Sequence, residues 1–276
     1  MACCRANLPR QNTQAGVLIA RVGIAAAFAA NAVGYIAFQI SLANLRDLPS
    51  LPMRAAQNAV RASLEAFSYV RRHKGMAPMM LLFAVTTIGT RGFIELFPGF
   101  ADSVFHRGPQ GLAMLTSTVG LGAIFGGTWM LIRSQISGLT TVVLANTLLM
   151  SLAIVAFTAT DQFLLALPSV FVAGAAMVIT GIGAQTLIQA SVDHAMSGRV
   201  MALYGMIFRA GPALGAVTIG TASAHFGLRL PLAIGAVLSI GFLALSLARR
   251  KSIAAALESP APEVAVGGAV AVGRGT

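Results

Sequence analysis

The chain has 276 residues, of which 57% are hydrophobic and only 10% are charged, and its mean hydropathy is +0.80. A soluble domain carries roughly 25% charged residues, so this composition excludes an ordinary soluble protein and predicts an all-α polytopic membrane protein with about seven transmembrane helices. The net charge of +11 would favour nucleic-acid binding in a soluble protein. Because most basic residues lie between apolar stretches, we expect the lipid bilayer, and no nucleic acid, as the partner.

The N-terminal part of the chain contains one apolar stretch and a basic connector. Residues 1–14 are polar and are interpreted as a disordered or atypical lead, whereas residues 15–45 are long enough to span a bilayer. Residues 46–75 form a basic linker in which four apolar residues recur at helical spacing: Val60, Leu64, Phe67 and Val70. This spacing predicts a short amphipathic helix on the membrane surface, beside anionic headgroups.

The second apolar stretch carries two charges. Met76 to Phe100 can span the hydrocarbon core, and Arg91 and Glu95 stand four residues apart within it. A charge in hydrocarbon costs from about 3 kcal/mol upward, so both should face protein or water. Two interpretations stay open: the pair lines a cavity or gate, or the charges neutralise each other and fix helix packing. Pro98 lacks an N–H and is expected to kink or end this helix.

Five further apolar stretches complete a six-helix region at residues 76–250. They cover residues 111–132, 139–158, 163–188, 200–222 and 230–247. Gly122 and Gly126 have the small-residue spacing that lets helix backbones approach closely. Gln185 is a candidate contact for a polar substrate, although solvation of a helix end also explains it.

The deepest charge in the chain is Arg209, which lies about nine residues, or about 14 Å, into the sixth stretch. Gly211 and Pro212 follow it and are expected to break the helix, which is tolerated at membrane depth where the backbone lines a cavity. With Gly215 they are candidates for a hinge. A functional role for Arg209 and a structural ion pair with a residue such as Glu95 both stay open.

The distribution of lysine and arginine predicts the orientation. Placing the basic linker in the cytoplasm puts Arg133, Arg199 and residues 249–251 there too, so the positive-inside rule predicts a cytoplasmic C-terminus. The polar candidates Asp193 and Arg199 then lie in a cytoplasmic loop. Residues 251–276 are rich in Pro, Gly and Ala and are expected to form a flexible cytoplasmic tail.

The sequence indicates neither a metal site nor a catalytic set. The four histidines are scattered over loops without the spacing of a zinc-binding motif. The only lysines, Lys74 and Lys251, follow His73 and Arg250 rather than glycine, which argues against the phosphate-binding loop of an ATP-driven pump. We therefore expect a protein that is not an enzyme and uses no cofactor or metal.

Two stretches resemble a known family. Residues 89–127, GTRGFIELFPGFADSVFHRGPQGLAMLTSTVGLGAIFGG, resemble helices seven and eight of the major facilitator superfamily, in the branch of the enterobactin exporter. Residues 197–220, SGRVMALYGMIFRAGPALGAVTIG, resemble the loop before helix eleven and helix eleven itself. Family members commonly carry an arginine in helix seven and a Gly-Arg pair before helix eleven, which Arg91 and Gly198-Arg199 match here.

The resemblance implies a secondary active transporter in the bacterial cell (inner) membrane. Such a protein exports a small molecule, such as a drug or siderophore, with proton coupling, and the candidate substrate or coupling residues are Arg91, Glu95, Arg209 and Gln185. A complete member has twelve helices, and this chain corresponds to the last seven, with residues 15–45 as the sixth. A missing N-terminal half is therefore an expected partner. The alternative is a truncated, non-transporting remnant, or a half-transporter that needs a partner half.

Overall fold

A computed structural model of the chain describes residues 29, 32–41, 59–133, 135–193 and 196–258. The predicted lead at residues 1–14 and most of the first predicted span lie outside the described residues. The chain forms two compact units, residues 1–56 and 57–276. In the first unit the structure describes an apolar helix, α1 (Ala32–Ser41), which falls inside the predicted first span.

The second unit begins with α2 (Ala59–Arg72) and contains six helices that are long and apolar enough to cross a membrane, among the residues described. These are α3 (Met76–Val104), α4 (Gly108–Ile132), α5 (Leu139–Ala159), α6 (Phe163–Ser191), α7 (Ser197–Phe226) and α8 (Arg229–Ala248). They are followed by a short helix, α9 (Arg250–Leu257). The predicted all-α polytopic fold is confirmed, and the predicted ends of the six spans differ from these by a few residues.

Helix α6 lies between α4 and α5, and glycines set its distance from α4. A methyl group at Gly126 would lie 2.5 Å from the carbonyl oxygen of Ala175, and one at Gly122 would meet the carbonyl of Phe171. Conversely, a methyl group at Gly174 on α6 would lie 2.6 Å from the carbonyl oxygen of Val119 on α4. The two backbones are therefore in direct contact, as the spacing of small residues predicts.

Helix α3 packs against α7 and α8 through a second set of glycines. A methyl group at Gly89 would lie 2.7 Å from the carbonyl oxygen of Gly235 on α8. On α7, one at Gly211 would lie 2.8 Å from Cβ of Thr87, and one at Gly215 would meet the carbonyl of Ile88. These contacts bury α3 more deeply than any other span of the described region: 61% of its apolar 18-residue segment is buried.

Span α3 is broken well before the proline that was expected to kink it. It is α-helical over Met76–Gly89, becomes a 3-10 helix over Arg91–Leu96, and ends with short α and π turns over Phe97–Gly99 and Phe100–Val104. Because Pro98 has no N–H for the carbonyl of Ile94, the N–H of Phe97 donates to that carbonyl instead. The 3-10 helix, in which each N–H donates to the carbonyl three residues earlier, extends from this hydrogen bond toward the N-terminus as far as Arg91.

The expectation that Gly211 and Pro212 break their helix is wrong, because α7 runs unbroken through both residues. Proline removes only one hydrogen bond here, the one to the carbonyl four residues earlier. The close packing of Gly211 on Thr87 and of Gly215 on Ile88 holds the two spans together on either side of that gap.

Two peripheral segments also differ from the sequence prediction. The start of the predicted flexible tail is the helix α9, whose Ile253 and Leu257 are buried in the same apolar cluster as Met76. The apolar pair stands four residues apart on one face, a pattern that the surrounding alanines obscure. Within the predicted linker, residues 59–72 form the helix α2, which buries Ala66 and Val70 and leaves Leu64 and Phe67 exposed by 63% and 57%. Its position on the membrane surface stays a prediction.

Candidate functional site

Arg91 lies at the break in α3 and is buried, with only 6% of the residue exposed. Its Nη2 donates a hydrogen bond of 3.0 Å to the carbonyl oxygen of Met177 on α6. Its guanidinium carbon lies 4.6 Å from the ring centre of Phe208 and 5.6 Å from that of Phe83. The cation is therefore held by one carbonyl and two aromatic faces, an arrangement that stabilises an arginine in a dry environment.

The rest of the guanidinium is unsatisfied. Nε and Nη1 of Arg91 are buried and have no hydrogen-bond partner within the part of the chain that the structure describes. The idea that Glu95 neutralises Arg91 is wrong: Glu95 is exposed, and no ion pair joins it to Arg91 or Arg209 among the described residues. The 3-10 helix explains this, since three residues per turn place positions i and i+4 on different faces.

An aromatic group surrounds Arg91 and was not identified from the sequence. The ring of Tyr204 stacks on Phe83 with centres 4.8 Å apart, and its hydroxyl donates a hydrogen bond of 2.7 Å to the carbonyl of Gly181. Gly181 also gives the guanidinium room, because a methyl group there would lie 3.1 Å from Nη2 of Arg91. The one signal in the sequence was the spacing of Tyr204 and Phe208, four residues apart on α7.

Arg209 lies on the outside of the described six-helix unit. It is exposed on α7, directly after Phe208, which is 42% exposed and covers Arg91 from that side. Glu95 on α3 and Gln185 on α6 are exposed as well. Spans α4 and α7 are the least buried, with 22% of their most apolar windows buried. Exposed charges inside spans are rare on surfaces that face lipid.

A second polar cluster joins α2 to the loop between α6 and α7. The Tyr69 hydroxyl donates a hydrogen bond of 2.9 Å to Asp193, and Arg199 forms an ion pair of 2.5 Å with Glu65. Burial raises the pKa of Tyr69 and lowers the pKa of His73. The His73 Nδ1 accepts hydrogen bonds from two backbone N–H groups at the start of α3, each 3.3 Å long, which requires an unprotonated ring nitrogen. Of the two residues predicted to lie in the loop, Asp193 does, whereas Arg199 lies in the first turn of α7. Both contact α2.

The chain matches a family model over residues 4–275, and that family is described as transmembrane secretion effector. The chain belongs to this family of the major facilitator superfamily. No curated protein and no solved structure matches it. Family membership identifies a multi-pass membrane transporter and confirms the resemblance at that level. The narrower assignment to the enterobactin-exporter branch, and the truncation, stay predictions.

The glycine candidates and the charged candidates lie in different parts of this arrangement. Gly122 and Gly126 form the contact between α4 and α6, while Gly211 and Gly215 form that between α7 and α3. Arg91 is enclosed between α3, α6 and α7. Within the described ranges, no group of three or more potential metal ligands occurs.

Proposed function

We propose that this chain is a secondary active transporter that exports a small molecule, such as a drug or siderophore, across the bacterial inner membrane in exchange for protons. The observation that carries the proposal is the exposure of Arg209 on α7. A guanidinium facing hydrocarbon costs from about 3 kcal/mol upward, and no ion pair offsets that cost within the described residues. The face that bears Arg209 therefore borders a water-filled path.

Arg91 provides a second charge just behind this face. Phe208 separates the buried guanidinium from the surface on which Arg209 lies. Transporters commonly place substrate or ion sites where a span is discontinuous near the middle of the bilayer, and α3 is discontinuous at Arg91. A movement of Phe208 would expose Nε and Nη1 of Arg91, the two nitrogens without a partner among the described residues, to a polar substrate.

A half-transporter that requires a partner half is the second candidate function. It is supported by the low burial of α4 and α7, each 22%, against 50% for α5 and α6. Spans with small residues and exposed polar groups suit contact with further helices better than contact with lipid. The partner proposed is the missing N-terminal half, arranged around the path that Arg209 borders. Export and the cytoplasmic position of the C-terminus belong to the same proposal.

Efflux from bacterial cells that lack their own exporters tests these proposals. Cells are loaded with ethidium or with fluorescein, and loss of fluorescence is followed with and without a proton uncoupler. The chain is expressed alone or with helices one to five of a family member. Arg209→Gln should slow uncoupler-sensitive efflux by roughly tenfold or more, because a charged contact is lost. Arg107→Gln, an exposed arginine at a span end, is the matched control.

The outcomes separate the two candidate functions. Efflux by the chain alone supports the first, and efflux only with the added half supports the second. Unchanged efflux in both Arg91→Gln and Arg209→Gln removes these residues from the mechanism. Absence of efflux in every pairing supports a non-transporting remnant.

A further inference from the structure

An apolar groove of about 430 Å³ lies between α2, α3 and α7. Its walls are apolar side chains, including the exposed Phe67, Leu81 and Met206, and its one charged lining residue is Arg71. Leu64, Phe67 and Arg71 follow one another at helical spacing, so α2 presents an apolar face that ends in a positive charge.

A second groove of about 480 Å³ lies on the other side of α3, against α8. It shares Ala77 and Leu81 with the first groove, so these two residues form a ridge between them. Its one charged lining residue is Arg249, at the end of α8. Each side of the ridge is therefore an apolar channel with one arginine.

Both arginines lie at the same end of the helix bundle. Arg71 is in the last turn of α2, just before α3 begins, and α9 follows Arg249 and returns to the start of α3. There a methyl group at Gly75 would lie 2.8 Å from Cβ of Ala256. Neither Arg71 nor Arg249 forms an ion pair or a side-chain hydrogen bond among the described residues, and both are exposed.

We infer that the two grooves together bind one anionic diacyl phospholipid. Its acyl chains occupy the grooves on either side of Leu81, and its phosphate lies between Arg71 and Arg249 at the start of α3. The acyl chains of any lipid can fill an apolar groove. The guanidinium groups of Arg71 and Arg249, which have no partner among the described residues, favour a headgroup with net negative charge. The inference does not depend on transport activity.

Native mass spectrometry of the purified full chain tests this inference, with phosphatidylglycerol and phosphatidylcholine of identical acyl chains as the probes. Phosphatidylglycerol should bind more tightly. Arg71→Gln and Arg249→Gln should each weaken its binding by roughly fivefold and leave phosphatidylcholine unchanged, because each arginine near a headgroup contributes about that factor. The neighbouring Arg72→Gln and Arg250→Gln remove the same charge outside the grooves and should have little effect.

A steric variant tests the position of the acyl chains. Leu81→Trp places a large side chain on the ridge and should reduce binding of both lipids, and an unchanged unfolding temperature would show that the variant is folded. Equal affinity for the two lipids, or equal loss in the neighbouring-arginine controls, would overturn the inference. So would the absence of binding by both lipids, which would mean that another segment or a second copy covers the grooves.

Discussion

The guanidinium carbon of Arg91 lies 4.6 Å from the ring centre of Phe208, and the next residue along α7, Arg209, is exposed. One aromatic ring thus separates a buried cation from a surface that carries another. Neither cation forms an ion pair among the described residues, so neither fixes a charged contact between helices. Their placement is better explained by a path for polar groups.

Arg91→Met should separate a structural role from a functional one. Arg91 makes one hydrogen bond and leaves two nitrogens unpaired. Replacing such a buried charge with an apolar side chain of similar length is often neutral or stabilising, so the unfolding temperature should stay equal or rise. Efflux should fall roughly tenfold or more. A variant that is less stable yet still exports would show that Arg91 serves packing.

Gly122→Ala should destabilise the protein by about 1 to 3 kcal/mol, because its methyl group would meet the carbonyl of Phe171 on α6. Gly120 lies two residues earlier on α4 with no atom within 4 Å of the equivalent position. Gly120→Ala should therefore be neutral or stabilising by up to about 1 kcal/mol. Reversible unfolding in mixed micelles measures both. Similar effects in the two variants would contradict the contact between α4 and α6.

Glu258 should make stability depend on pH in the acid range. Burial alone would raise its pKa, but hydrogen bonds from the N–H groups of Gly138 and Thr140, 2.7 and 2.9 Å long, and nearby Arg133 hold the pKa below its ordinary 4.5. A pKa that folding lowers contributes stability above the unfolded value, and this contribution is lost as the pH falls from about 4.5 through the folded value.

The variant Glu258→Gln isolates that contribution. It should cost about 1 kcal/mol at pH 7, as loss of a helix cap does, and the difference from the wild type should shrink on acidification below pH 4.5. Thermal unfolding across this range measures it. Glu95→Gln, which removes an exposed carboxylate without an ion pair, is the control. A cost that is the same at pH 7 and in acid would show that Glu258 acts without its charge.

The spans were predictable because each needs only a run of apolar residues, and a bilayer imposes their length. The ends of α5 and α6 are set by Gly138 and by the polar turn at Asp161, both visible in the sequence. The positions of the charges along each helix were also predictable. The partners of these charges were not predictable, because the carbonyl of Met177 that accepts a hydrogen bond from Arg91 is 86 residues away in the sequence.

The break in α3 was misplaced for a similar reason. Pro98 is visible in the sequence, but the backbone adjusts before it rather than at it, through the hydrogen bond from the N–H of Phe97 to the carbonyl of Ile94. The helix α9 was missed because its burial depends on contacts with Met76 and other residues far along the chain. Runs of apolar residues therefore predict the spans, while the surroundings of Arg91 depend on tertiary contacts between residues that are distant in the sequence.

The most direct test of the central claim is the water accessibility of position 209. In a Cys3→Ser, Cys4→Ser background, Arg209→Cys and Leu152→Cys are each treated in membrane vesicles with a charged, membrane-impermeant thiosulfonate, which reacts with thiolates in water. Leu152 is 50% exposed on α5 among apolar neighbours and serves as the lipid-facing control. We predict that Arg209→Cys reacts and Leu152→Cys does not. Equal lack of reaction at both positions would contradict a water-filled path beside Arg209.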